Sequence, residues 1–256
     1  MRLIDHWAYA NRLRRVDPVF KAFVSASTLT AALLLNRVPS SLVGVVGLTL
    51  IAVVWAGIPW RVFGAVLLAE SSFLVLSAFG IALSLQPATG WPDATGVSIG
   101  IARVTWSDTS VEAAARVFSR ALAGCAAVNL LALTTPVIDV IALLYRLRLP
   151  TPLVELMSVV YRAIFVLLDS LDRMRVAQDN RLGYAGFRQG FRSAAMLATR
   201  LFLDAYQRSQ RLHTAQLSRG YANQFTVLET AYSRDRALIW AGSALLILML
   251  AAGAWQ

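Results

Sequence analysis

Five apolar runs constrain this chain more than any other feature: Val19–Leu35, Leu42–Ile58, Val62–Leu85, Val111–Leu133 and Ala237–Trp255. Crossing a bilayer takes roughly 20 mostly apolar residues of helix. Inside the hydrocarbon, each backbone amide must find its partner within the segment, and a helix does this. The composition agrees: 57% of the 256 residues are hydrophobic and 15% are charged, against about 25% charged in soluble domains. The expectation is an all-α polytopic membrane protein with about five transmembrane helices. "NRVPSS" and "GIPWR" read as tight turns between the first three spans, and "LQPATGWPDATG", rich in Gly and Pro, reads as a loop. The fourth span is the least regular, because Arg116 and Arg120 lie in its first half, placed to snorkel to a surface or to face protein.

Charge sets the orientation. The formal net charge is +10, and Lys21 is the lone lysine. In a soluble chain this balance would suggest nucleic acid. Here the cytoplasmic enrichment of Lys and Arg in membrane proteins accounts for it, so the expected surroundings are lipid, with no nucleic-acid partner. With the N-terminus in the cytoplasm, Arg2, Arg12, Arg14, Arg15, Lys21 and Arg61 fall inside, as do the arginines between Pro136 and Arg236. That places twenty of the 24 basic residues on the cytoplasmic side. Five spans then put the C-terminus outside, in a multi-pass protein of the cell (inner) membrane. The opening "MRLIDHWAYANRLRRVDP" has no apolar core of a cleavable signal. Cys125 stands alone, so no disulfide forms within the chain.

The expected organisation is an N-terminal membrane region over residues 1–135, cytoplasmic helices over 136–236 and a last transmembrane helix over 237–256. The middle region reads as one short helix opened by Pro136 and closed by Pro150, then two long ones, from about Pro152 to Arg181 and from about Phe191 to Arg219. Glycine just past each long helix is a common stop signal. Both helices begin apolar and end polar, and their ends repeat: "AQDNRLGYAGF" from Ala177 and "AQLSRGYANQF" from Ala215. Arg173, Ala177 and Arg181 fall at i, i+4, i+8, as do Arg211, Ala215 and Arg219, so each trio shares a helix face. Arginines in a last helical turn complement the macrodipole, but that does not explain the repeated spacing. Arg181 and Arg219 are the candidate docking residues. Arg173, Ala177, Arg211, Ala215, Ser218 and Gly220 support them. Arg188 and Arg192 are assigned to the turn that connects the two helices.

Other chemistry is sparse. No glycine-rich phosphate loop is present. His6 and His213 stand apart from any Cys or His cluster, so no metal or cofactor site is expected. Glu70, beside Ser71 and Ser72, is the deepest membrane acid and reads as an interhelical hydrogen-bond partner. Asp139 and Glu155 open cytoplasmic helices, where acids suit the dipole. No catalytic set is recognisable, and the chain is expected to transmit rather than catalyse.

The segments "DHWAYANRLRRVDPVFKAF", "TPVIDVIALLYRLRLPTPLVELMSVVYRAIFVLLDSLDRMRVAQDNRLGY" and "RSQRLHTAQLSRGY" resemble the transmembrane T components of energy-coupling-factor transporters, closest to the CbiQ type of cobalt and nickel importers. In that family two coupling helices end in Ala-Arg-Gly-like motifs whose arginines enter grooves on two ATP-binding-cassette subunits. The matching positions are Asn180-Arg181-Leu182 and Ser218-Arg219-Gly220; the first keeps only the arginine, the second Arg-Gly. The resemblance implies a non-catalytic coupling subunit with ATP and Mg in the partner ATPases. A separate membrane S component, CbiM-like for cobalt, captures the substrate. ATPase closure would draw the two tips together. Nickel or a vitamin such as biotin is the alternative substrate. An enzyme acting on lipid or phosphate groups, with the arginines binding anions, is the alternative from another class.

Overall fold

In a computed structural model of the chain, residues 7–82, 84–87, 96–99, 102–105, 108–220, 232–233 and 236–254 are described. His6, Tyr221, Phe225 and Trp255 of the sequence reading lie outside these residues. The chain divides into two compact units, Met1–Asp139 with Thr230–Gln256, and Val140–Glu229.

The first unit is a helical bundle. Helix α1 (Pro18–Leu35) starts where Asp17 Oδ1 accepts the Val19 N–H at 3.1 Å and Pro18 takes the first helical position. It stops at Asn36, which is left-handed at φ 47°. Helix α2 (Val38–Leu50) runs on through a π-helical turn, Ile51–Trp55, and Gly57 ends it at φ +70°. Helix α3 spans Trp60–Ala82, α4 Asp108–Thr134 and α8 Arg236–Ala254.

The fourth apolar run, the least regular in sequence, forms the centre of the bundle. Helix α4 packs against α1, α2 and α3. Its buried face is mostly small: Ala114, Ser119, Ala123, Ala126 and Ala127, then Leu130 and Leu133. Small residues let helices approach in lipid, where apolar burial supplies no drive between them. Helix α8 closes the bundle against α1 and α2 at similarly short range. A Cβ on Gly47 would run into Leu245, and one on Gly242 into Val24.

The helix ends gather into two layers. At one end, Arg12 N–H reaches Ala56 O at 3.1 Å and Ser233 N–H reaches Arg15 O at 2.8 Å. At the other, Arg120 donates to Asn36 Oδ1 at 3.4 Å. Helices α1, α3 and α8 therefore leave the first layer, and α2 and α4 return to it. Arg116 and Arg120 sit near the opposite layer, where Arg116 also faces Glu112 at 3.9 Å.

The connection from α3 to α4 departs from the expected loop. It holds three short strands, β1 (Ser84–Pro87), β2 (Gly96–Ile99) and β3 (Ala102–Thr105), antiparallel in the order β1-β3-β2. Pairing of Ile99 with Ala102 and of Pro87 with Ala102 sets the register. Four-residue strands carry too little alternation to stand out beside Gly and Pro, and Pro87 is tolerated because β1 is an edge. The third helix accordingly ends at Ala82, short of the expected Leu85.

The boundary between units falls inside α5 (Val137–Arg146), which follows Pro136. The second unit holds α6 (Thr151–Asp179) and α7 (Phe187–Ser218). They run back against each other, Gln178 Nε2 meeting Ser193 O at 3.2 Å and Arg208 Nη2 meeting Ser170 Oγ at 3.5 Å.

The protein is an all-α polytopic membrane protein in its framework, with the small sheet added in one connection. Among the described residues, six helices are long and apolar enough to cross a membrane. Five match the expected spans. The sixth is α6, whose first half is apolar enough to qualify despite Glu155 and Arg162.

Candidate functional site: two arginine-bearing helix ends

Helix α6 ends two residues before Arg181, earlier than the sequence reading placed it, because the chain turns a corner there. The N–H groups of Asn180, Arg181 and Leu182 return to the carbonyls of Val176, Gln178 and Asp179 at 2.9–3.1 Å. Leu182 is left-handed at φ 56°. Gly183 N–H then bonds Gln178 O at 2.9 Å. At Gly183 a side chain is excluded by crowding, since a Cβ would lie 2.8 Å from Ser193 Oγ and 2.9 Å from Gln178 O. Three further bonds lock the corner. Ser193 Oγ donates to Gly183 O at 2.8 Å, Gln178 Nε2 to Ser193 O, and Tyr184 OH to Gln178 Oε1 at 2.8 Å.

Helix α7 starts at Phe187 rather than near Phe191, with extended Gly186 before it. Arg188 and Arg192 therefore lie in its first turns, not in the connection. The corner bonds to Ser193 hold the turn around Gly190 in helix despite the low helix propensity of glycine.

At its far end, α7 stops at Ser218, whose hydroxyl donates to Thr214 O at 2.7 Å. Arg219 caps it at φ −95°, ψ 10°, and Gly220 is left-handed at φ +66°. The two ends thus share one backbone posture: a finished helix, an arginine, then a left-handed residue. Leu182 adopts that conformation without the freedom of glycine, at a cost of roughly 1–2 kcal/mol.

Arg181 and Arg219 are both exposed, and neither guanidinium has a hydrogen-bond or ion-pair partner among the described residues. The supporting residues differ. Arg173 turns back to Ser170 Oγ at 3.2 Å and Arg211 to Gln207 O at 3.3 Å, each tied to its own helix. Ala177 and Ala215 are exposed. Because Arg181 sits beside the start of α7 and Arg219 beyond its finish, the 32 residues of that helix separate them. At 1.5 Å per residue this is roughly 48 Å.

Along α7, Arg208 Nε donates to both oxygens of Asp204 at 3.1 and 3.2 Å and holds its carboxyl below the usual carboxylate range. Phe187, Phe191 and Phe202 stand exposed, Phe187 at 95%.

Within the bundle, Glu70 accepts a 2.8 Å hydrogen bond from Asn129 and so joins α3 to α4, the interhelical role read from sequence. A second polar network was missed. Lys21 is 2% exposed and donates to Thr134 O at 3.0 Å. Asn11 Nδ2 donates to Leu133 O and Thr134 O, each at 3.3 Å. Both satisfy the carbonyl end of α4, where a cation is also favoured by the helix dipole. The signal was there: the chain's lone lysine, four residues after Asp17, inside an apolar run. Asp139 does more than open a helix, since its Oδ1 accepts from Tyr232 OH at 2.8 Å. Among the described residues, no group of three or more His, Cys, Asp or Glu could hold a metal ion.

The family model described as cobalt transport protein, CbiQ, matches residues 10–227. The cobalt transport protein CbiQ of Rhodobacter capsulatus is 28% identical over 227 residues, 89% of this chain and 87% of that protein. An uncharacterized protein of Methanocaldococcus jannaschii is 25% identical over 229 residues, 89% of this chain and 84% of its own length. A putative fused cobalt transport protein, CbiMQ, of Methanocorpusculum labreanum is 29% identical over 222 residues, 86% of this chain but 36% of the fused protein. A match running through α1 to α4, both long helices and both arginine-bearing ends means that this chain belongs to the CbiQ family of cobalt transport proteins.

Proposed function

We propose that this chain is the transmembrane coupling subunit of an ATP-driven cobalt importer of the energy-coupling-factor type. The observation that carries the reading is the pair Arg181 and Arg219: exposed, without partners among the described residues, alike in backbone posture and a helix length apart. A separation of roughly 48 Å is too wide for one anionic ligand, which disfavours an enzyme that gathers phosphate groups between these arginines. It suits two protein surfaces, one on each of two ATPase subunits, which bind the ATP and Mg. A forked guanidinium fits a carboxylate-lined groove. Exposed Phe187 and Phe191 add apolar contact beside the first tip.

Helix α7 holds the tips at a fixed separation, so ATPase closure would rotate the α6–α7 pair rather than draw its ends together. That rotation would pass to the subunit holding the substrate. Cobalt is the substrate that the family description and the named relatives support, and the fused relative motivates a CbiM-like capture subunit beside this chain. A nickel or biotin importer would use the same coupling.

The protein would lie in the cell membrane with its N-terminus and the α6–α7 pair in the cytoplasm, α6 resting its apolar half against the bilayer rather than crossing it. A reporter fused between Gly186 and Gly190 should then be cytoplasmic and one fused after Gln256 extracytoplasmic. A cytoplasmic C-terminus would mean that α6 crosses.

The deciding experiment measures ATP-dependent cobalt uptake in reconstituted vesicles together with ATPase pull-down. Arg181→Ala with Arg219→Ala should abolish uptake while the membrane subunits stay folded. Either arginine changed to glutamate should weaken assembly at least tenfold, since losing one charge-assisted bond costs about 1.5–3 kcal/mol. Wild-type uptake and pull-down by the double alanine variant would remove the coupling role.

A further inference from the structure

The first unit contains a cleft that the coupling reading does not use. It has a volume of about 350 Å³ and is lined by Tyr9, Arg14, Arg15, Ile138, Asp139 and Tyr232. We propose that it binds the phosphate of an anionic lipid headgroup.

Its position fits. Arg14 and Arg15 stand just before α1, which leaves this layer for the apolar bundle, and Ile138 and Asp139 follow the end of α4. Helix ends mark the level at which lipid headgroups lie, and basic pockets at that level attract anionic ones. The cleft exceeds by about tenfold the roughly 30 Å³ a water molecule takes in the liquid, and so has room for a phosphate with its attached alcohol.

Its charge fits too. Neither Arg14 nor Arg15 has an ion-pair partner among the described residues. The Arg14 guanidinium lies over the Tyr9 ring, 5.1 Å from its centroid, a contact that fixes the cation by its face and leaves its N–H edges free. The acid in the cleft, Asp139, is already engaged. It is 8% exposed, accepts from Tyr232 OH, and feels the Lys21 ammonium. The two arginines are thus left in excess.

The walls are also fixed in place. Ser233 donates its N–H and its hydroxyl to Arg15 O at 2.8 and 3.0 Å, and Asp17 N–H returns to Ser233 O at 3.2 Å. This strap holds Tyr232 in the same cleft wall as Arg15 before any ligand arrives, which reduces the ordering cost of binding.

The test uses the full chain in lipid nanodiscs and counts retained lipid by native mass spectrometry, phosphatidylglycerol against phosphatidylcholine. The wild type should retain phosphatidylglycerol with roughly tenfold preference or more. Arg14→Gln with Arg15→Gln should abolish the preference. Arg14→Lys with Arg15→Lys, which keeps the charge, should retain most of it. Arg61→Gln, which removes one charge at the same layer outside the cleft, should leave it intact. Survival of the preference in the double glutamine variant, or an equal fall in Arg61→Gln, would overturn the site in favour of a diffuse basic surface. Millimolar inorganic phosphate separates the sources. No displacement of the lipid supports a headgroup site, and displacement that depends on Arg14 and Arg15 would overturn it in favour of free phosphate.

Discussion

The ends of α6 and α7 carry almost the same letters and make different structures. Both stop a helix, present an arginine and turn left-handed in the next residue. Beyond that they part. At the first end, Gln178, Gly183, Tyr184 and Ser193 close a hydrogen-bonded corner onto the start of α7. At the second, no described residue comes within 4 Å of where a Cβ on Gly220 would stand. Local sequence sets the helix stop and aims the arginine, whereas rigidity comes from the element packed against it. The glycines show the same division. Gly183 is required because neighbours crowd it, and Gly220 because its backbone is left-handed. If the coupling reading holds, the first tip is held by a packed corner, and the described residues show no comparable corner at the second.

The largest test of this contrast is alanine at each glycine. Gly183→Ala places a methyl group against Ser193 Oγ and the Gln178 carbonyl, and overpacking of this kind costs roughly 1–3 kcal/mol. Hydrogen exchange of the amides from residue 178 to 195 should quicken about five- to hundredfold. Gly220→Ala strains one left-handed residue past the end of α7, so exchange should change only near residues 216–220. Equal, local effects at both glycines would mean that the corner is no more rigid than the second end.

A smaller effect is expected from Leu182→Gly, which gives the first end the Arg-Gly order of the second. Leu182 is 71% exposed and left-handed, so glycine removes the strain of roughly 1–2 kcal/mol while adding freedom to the unfolded chain that offsets part of it. Exchange across the corner should slow by less than about fivefold. Faster exchange would show that the leucine side chain, rather than the bonds around Gly183, holds the corner.

Much of this molecule is determined by its sequence alone. The apolar runs dictate membrane helices, because hydrocarbon leaves a backbone no other partner than itself. Pro136 opens the short helix, Pro150 closes it and Pro152 opens the next, and the repeat at Ala177 and Ala215 singles out Arg181 and Arg219, because start and stop signals and helix faces are local properties. Tertiary structure decided the rest. It made the arginine-bearing fourth run the centre of the bundle, since its alanines admit three neighbours at close range. It buried Lys21 against the carbonyl end of α4, a pairing across 113 positions that no local pattern encodes. It also placed Arg181 and Arg219 at opposite ends of one helix, because the Gln178 side chain on the Ser193 carbonyl and Arg208 on the Ser170 hydroxyl fold α6 back along α7.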